Sequence, residues 1–160
     1  METNIHFLHP STLFVSDKPV CIITILGSCV SVCLYDPILK IGGMNHYMLP
    51  YWNGEGLASP KYGNIAIKKL VEELLKKGCS YYNLVAKVFG GGNIFQINNH
   101  TINIHQRNIE VARSMLADLE IPVISSSLGG NCGRKIQFYT GTGRVLHNFI
   151  INRNLKQLSE

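Results

Sequence analysis

The sequence predicts an α+β domain, rich in strands, with two main helices and mixed or largely antiparallel sheets. Three observations lead there. Segments of strand character between residues 13 and 49 follow one another too closely for helical crossovers. Only two stretches carry apolar residues at helical spacing. The 160 residues, 46% hydrophobic and 16% charged, suit one globular core and not a disordered chain. A single domain over residues 1–153 is expected, followed by a polar tail at 154–160.

Residues 1–18 are polar and mixed, with an edge strand or arm around Leu13 to Val15. Val20 to Leu26 is rich in β-branched residues and reads as a buried strand, with Cys21, Ile23 and Ile25 on one face. Gly27-Ser28 breaks it. Cys29 to Tyr35 alternates, placing Val30, Val32 and Leu34 on the core face and Cys29, Ser31, Cys33 and Tyr35 on the other. Asp36-Pro37 signals a turn. Ile41 to Leu49 is the next strand, with Met44, His46 and Met48 sharing a face, and Pro50 ends it. Tyr51 to Ser59 is a loop that could border whatever site the preceding strand carries.

Ser59-Pro60 reads as a helix start, serine as cap and proline in the first turn. Ile67, Leu70, Val71, Leu74 and Leu75 form the apolar stripe, and Gly78 stops the helix. Leu84 to Phe89 is a strand running into Gly90-Gly91-Gly92-Asn93. His105 to Leu119 is the second helix, carrying Ile109, Ala112, Met115, Leu116 and Leu119. Pro122 to Ser127 is a strand. Lys135 to Thr140 and Arg144 to Asn152 form a hairpin across Gly141-Thr142-Gly143.

The net charge of +5 favours acidic partners, but the basic residues are scattered and no aromatic-interleaved basic stripe points to nucleic acid. The longest apolar run, Val20 to Leu26, is too short to cross a membrane. The first residues lack the basic start and long apolar core of a signal peptide, so a cytoplasmic location without membrane insertion is expected. Five cysteines, an odd number, argue against a disulfide scaffold.

Chemistry is concentrated between Thr24 and Pro50. Cys29 follows a Gly-Ser turn at the start of a strand, and His46 lies on the next one. If the Asp36-Pro37 turn reverses the chain, the two strands pair and bring these residues together. An imidazole beside a thiol can take its proton and later return it to a leaving group. On the residues alone, packing roles stay open. A free cysteine is commonly a small buried hydrophobe, the reading adopted for Cys21, Cys33, Cys79 and Cys132, and His46 also fits a satisfied core histidine. His6, His9, His100, His105 and His147 default to surface or packing. Cys29, Cys33 and His46 match no zinc spacing, and no metal is expected. Gly90-Gly91-Gly92 lacks the spacing of a nucleotide loop, and a packing or substrate-wall role, with Phe89, suits it better.

L-G-S-C-V-S-V-C-L-Y-D-P followed by G-G-M-N-H-Y-M-L-P resembles the chemoreceptor glutamine deamidase family, CheD. K-V-F-G-G-G-N at Lys87 to Asn93, Q-R-N-I at Gln106 to Ile109 and S-L-G-G-N-C-G-R-K-I at Ser127 to Ile136 continue the likeness in the family's order. His105 departs from the small or acidic residue usual there. The resemblance implies a layered α/β sandwich similar to the catalytic domain of cytotoxic necrotizing factor toxins. It implies conversion of glutamine to glutamate on methyl-accepting chemotaxis receptors, without a cofactor, and for some members a CheC-type phosphatase partner. It places the nucleophile on Cys29, the histidine on His46 and a third catalytic residue on Thr24.

In that chemistry Cys29 attacks the side-chain carboxamide. His46 holds a thiolate–imidazolium pair and protonates the leaving ammonia. Thr24 orients the ring, and backbone N–H groups of Gly27 to Cys29 form the oxyanion hole. Two other functions remain in view: a non-catalytic module that docks on receptors or a CheC-type phosphatase, and a cysteine peptidase or amidase of broader specificity.

Overall fold

A computed structural model describes residues 3–95 and 103–151. The polar tail expected at 154–160, the far end of the last strand at Asn152, and His100 lie outside those residues. Among the described residues the strands are β1 (Asn4–Phe7), β2 (Thr12–Ser16), β3 (Val20–Leu26), β4 (Val30–Asp36), β5 (Ile41–His46), β6 (Val85–Gly90), β7 (Val123–Leu128), β8 (Gly133–Tyr139) and β9 (Val145–Ile150). The helices are α1 (Gly63–Lys76) and α2 (Ile104–Asp118).

The strands form two sheets, one ordered β2-β5-β4-β6-β7 and the other β1-β3-β8-β9. Both are mixed: β1 runs parallel to β3 and β6 parallel to β7, while the remaining pairs are antiparallel. The alternation of β4 explains the layering. Val30, Val32 and Leu34 pack against Ile67, Leu70, Leu74 and Leu116 of the helices. Cys29, Cys33 and Tyr35 face the second sheet, among Ile22, Leu26, Ile136 and Phe138. The five-stranded sheet is therefore the middle layer, between the helices and the four-stranded sheet. This is the layered α/β sandwich expected, and it gives β4 two buried faces where a single core face was anticipated.

Most expected elements stand within a residue or two of their places, but two differ. β1 was not anticipated. It is short, its apolar Ile5 and Phe7 are 67% and 57% exposed, and its partner β3 lies beyond β2 in the chain, so no local pattern marks it. Helix α1 begins at Gly63, not at Ser59-Pro60. Ser59 instead closes the preceding turn, its Oγ accepting from the Lys61 N–H and its carbonyl from the Tyr62 N–H. The first helical N–H groups, of Gly63 and Asn64, donate to the Leu49 and Pro50 carbonyls at 2.7 and 3.2 Å. The chain just after β5 thus caps the helix by main-chain contact. Gly63 permits this closeness, since a Cβ there would lie 2.8 Å from both Tyr47 and Val111. Gly78, at φ +99°, ends the helix region as expected.

Candidate active site

The Asp36 turn reverses the chain as anticipated. Its buried carboxylate accepts from the Ile38 and Leu39 N–H groups at 2.9 and 3.1 Å, and β4 and β5 pair antiparallel from Asp36/Ile41 to Cys33/Met44. Pairing lapses next and resumes at Val30/Tyr47. In the gap, the Val32 N–H is taken by the Asn45 side-chain oxygen at 2.8 Å. The register sets Ser31 across from His46, with Cys29 one step further on the same face. Cys29 and His46 are thus diagonal neighbours between the two sheets, without a hydrogen bond joining them among the described residues.

Thr24 reaches His46 from the opposite sheet. It lies on the inward face of β3, 1% exposed, and its Oγ1 is 2.7 Å from His46 Nδ1. Its hydroxyl also donates to the Leu8 carbonyl at 2.9 Å. That second bond decides the first. A hydroxyl has one proton and a carbonyl can only accept, so the Thr24 proton belongs to Leu8. His46 Nδ1 must then carry the hydrogen and donate it to Thr24. Nε2 is left as the unprotonated, basic nitrogen. The relay runs from the ring through Thr24 to the segment that follows β1, and Leu8 is itself held by its N–H on the Ile23 carbonyl at 2.8 Å.

The turn before β4 is held by its carbonyls. Gly27 C=O accepts from the Gly92 N–H at 3.0 Å, Cys29 C=O from the Gly91 N–H at 2.9 Å, and Ser28 C=O from the Asn108 amide at 3.1 Å. The Ser28 N–H has no acceptor among the described residues, the Cys29 N–H lies toward its own thiol, and the turn is half-buried. Two adjacent main-chain donors, neither bound to a carbonyl, beside a thiol can receive a developing oxyanion. Gly27, named as a donor, contributes a pinned carbonyl and the room for Ile94 to pack at 3.2 Å from where its Cβ would be.

Of the packing and substrate-wall roles open to Phe89, Gly90 and Gly91, their positions are those of packing residues. Phe89 is buried between the sheets. A Cβ on Gly90 would fall 2.2 Å from the Cys29 carbonyl oxygen, and one on Gly91 2.4 Å from Ile109. The glycines lie beneath the Cys29 turn and support it. The 51–59 loop is tied to itself and to α1, through Trp52 Nε1 on the Glu55 carbonyl and the Trp52 N–H on Asn64 Oδ1.

Burial governs the charge state. It pushes the Cys29 thiol up and His46 down to about 4. The substrate-free site therefore favours thiol and neutral imidazole, not the ion pair anticipated from sequence. A neutral imidazole in such a pair can take the thiol proton as a general base at the moment of attack. Of the other cysteines, Cys21, Cys33 and Cys79 are buried as expected, while Cys132 is half-buried. His6 stacks on Phe14 and His147 packs against Phe89 and Phe149, both packing roles. Among the described residues no cluster of His, Cys, Asp or Glu could hold a metal ion, and no helix is long and apolar enough to cross a membrane.

Sequence reasoning missed two contributors. Leu8 acts through its carbonyl, which no side-chain pattern reveals. Asn108 lies in the Gln106 to Ile109 block, and the signal was the block itself, for which no role was assigned.

Residues 48–148 match the family described as CheD chemotactic sensory transduction. A "Probable chemoreceptor glutamine deamidase CheD" of Sulfurimonas denitrificans is 47% identical over 152 residues, covering 94% of this chain and 97% of the relative. A protein of the same name from Trichlorobacter lovleyi is 50% identical over 141 residues, 88% of each chain. Another, from Anaeromyxobacter dehalogenans, is 39% identical over 86% of this chain and 80% of its own. Among solved structures, the Bacillus licheniformis hypothetical protein YfiH aligns with 72% of this chain and 49% of its own, at 20% identity and a TM-score of 0.46.

Proposed function

Since the chain belongs to the CheD family, we propose that it is a protein-glutamine deamidase of chemotaxis receptors, with Cys29 as nucleophile, His46 as base and acid, and Thr24 as the residue that orients His46. The observation that carries this reading is the bond from His46 Nδ1 to Thr24, with its direction forced by Leu8. It leaves a basic Nε2 on the face that also bears Cys29.

The reaction follows from those groups. Cys29 Sγ attacks the carboxamide carbon of a receptor glutamine as its proton passes to His46 Nε2. The carbonyl oxygen, now negative, takes the Ser28 and Cys29 N–H groups; one such donor is worth about 2.7–4 kcal/mol in comparable sites. His46 returns the proton to nitrogen, ammonia leaves, and a thioester remains. Water attacks that thioester, giving a proton to His46, and glutamate departs as the thiol reforms. No cofactor enters. A hydroxyl orients the ring without adding a second negative charge, unlike a carboxylate third member.

The reading carries a cytoplasmic location, with receptor signalling helices as the surface acted on. A net charge of +5 favours encounter with an acidic surface. A CheC-type phosphatase is the partner to test.

Peptide mass spectrometry on a receptor cytoplasmic fragment tests the reaction. Wild type should convert glutamine to glutamate, a gain of about one mass unit without cleavage, as a side-chain thioester requires. Cys29→Ala should not. Conversion by neither would move the reading to the docking module; cleavage would move it to a peptidase; conversion by both would displace Cys29 as nucleophile.

A further inference from the structure

Asn108 lies on α2 with its side chain fully buried. Its amide nitrogen donates to two carbonyls, Ser28 at 3.1 Å and Met48 at 2.9 Å. Only the NH₂ end of the amide can serve two acceptors, so its orientation is settled by chemistry. Its Oδ1 is buried without a partner. Burying an amide with an unmet acceptor does little for folding, so the reason for asparagine lies at its donor end.

The two carbonyls are not arbitrary. Ser28 immediately precedes Cys29, and Met48 follows His46 by two residues. One amide therefore ties the nucleophile's turn to the chain that leaves the strand of the base, just past the Val30/Tyr47 bridge where the pairing of the two strands ends. The Ser28–Cys29 peptide is trans, so the Ser28 carbonyl and the Cys29 N–H point in opposite directions. Holding that carbonyl toward the helix layer turns the Cys29 N–H toward the intersheet side, where Cys29 and His46 lie.

We propose that Asn108 is a positioning residue: it orients the Ser28–Cys29 peptide so that the Cys29 N–H meets the developing oxyanion, and it holds that turn in register with His46. This inference rests on the deamidase reading and adds a residue to it.

The test uses the whole chain and the receptor fragment. Asn108→Leu keeps the branching of the side chain and removes both donors, and Asn108→Asp places oxygens against the two carbonyls. Asn108→Ala replaces them if neither folds. Tyr47→Phe is the control, since it removes the hydroxyl that donates to the Asn108 main-chain carbonyl at 2.6 Å and leaves the amide untouched. The Asn108 variants should lose about 100-fold in kcat with KM changed by no more than about threefold, the pattern of a contact realised in the transition state. Tyr47→Phe should keep kcat within about twofold even with a lower melting temperature. Without substrate, the Cys29 amide resonance of ¹⁵N-labelled protein should shift in the Asn108 variants and stay in place in Tyr47→Phe. A folded Asn108 variant with near wild-type kcat, an unmoved Cys29 resonance, or an equal kcat loss in Tyr47→Phe overturns the proposal. Wild type that converts no glutamine overturns the deamidase reading instead, and the resonance still reports whether Asn108 sets the peptide.

Discussion

Thr24 and His46 link the two sheets of this protein by a buried 2.7 Å hydrogen bond, Thr24 from the four-stranded sheet and His46 from the five-stranded one. The site is therefore built across the interface between the sheets. Anything that shifts one sheet against the other moves His46 relative to Thr24.

Thr24→Val keeps the shape of the side chain and removes the acceptor. The His46 ring then loses the partner that fixes its tautomer, and deamidation should fall by about 10²-fold, less than for a lost carboxylate orienter. Thr24→Ser should retain most of the rate, because it keeps the hydroxyl between the ring and Leu8. Product mass analysis at matched times, beside thermal melts of each variant, checks both.

Thiol reactivity should report the neutral resting pair. With Cys29 raised from its ordinary value by burial, alkylation by iodoacetamide should climb through the alkaline range with no plateau near neutrality. A plateau below pH 7 would indicate a preformed thiolate–imidazolium pair. Cys132, half-buried, is the other site expected to label, while Cys21, Cys33 and Cys79 should resist until the protein unfolds.

His46 should make stability fall with acid. The folded protein binds the His46 proton only near pH 4, whereas the unfolded chain binds it from about 6.5. As pH drops from 6.5 toward 4 the unfolded state gains protons that the native state refuses, so the native state is disfavoured over that window, by about 3 kcal/mol at the lower end. Urea unfolding of wild type and His46→Asn at pH 7 and 4.5 isolates the effect. The variant should lose distinctly less stability than wild type, and equal losses would assign the acid sensitivity to other groups.

Gly90→Ala and Gly129→Ala should differ sharply although both positions have positive φ. At Gly129 a Cβ meets open space, so the change should cost about 1–2 kcal/mol, the left-handed penalty alone. At Gly90 the Cβ strikes the Cys29 carbonyl, and either the turn moves or the protein fails to fold. Activity per folded molecule should survive the first and not the second.

Asp36→Ala should destabilise by about 2–3 kcal/mol, because the Ile38, Leu39 and Ser80 N–H groups all lose their acceptor. Chemical denaturation measures it. Asp36→Asn, which keeps one acceptor oxygen, should fall between.

Much of the molecule was legible along the chain. Period-2 alternation from Val30 to Leu34 and the stripe from Ile67 to Leu74 come from local geometry, in which side chains repeat every two residues on a strand and every 3.6 on a helix. The Asp36 turn is local too. Those features placed Cys29 and His46 on paired strands and on one face. Thr24 came only through the resemblance, since nothing in its own surroundings sets it apart in a β-branched strand.

Tertiary structure decided the rest, because it depends on groups that carry no side-chain signal or that meet only after the sheets stack. β1 pairs with a strand beyond its neighbour, so its place follows from sheet assembly. The direction of the Thr24 bond depends on a backbone carbonyl at Leu8. The neutral state of His46 depends on burial between two sheets, which a sequence pattern does not measure. Gly90 and Gly91 left packing and substrate-wall roles open in the sequence and lie beneath Cys29 in the fold, since only the packed turn shows which backbone approaches them. The choice of candidate residues was thus a property of the chain, while their protonation, orientation and support are properties of the fold.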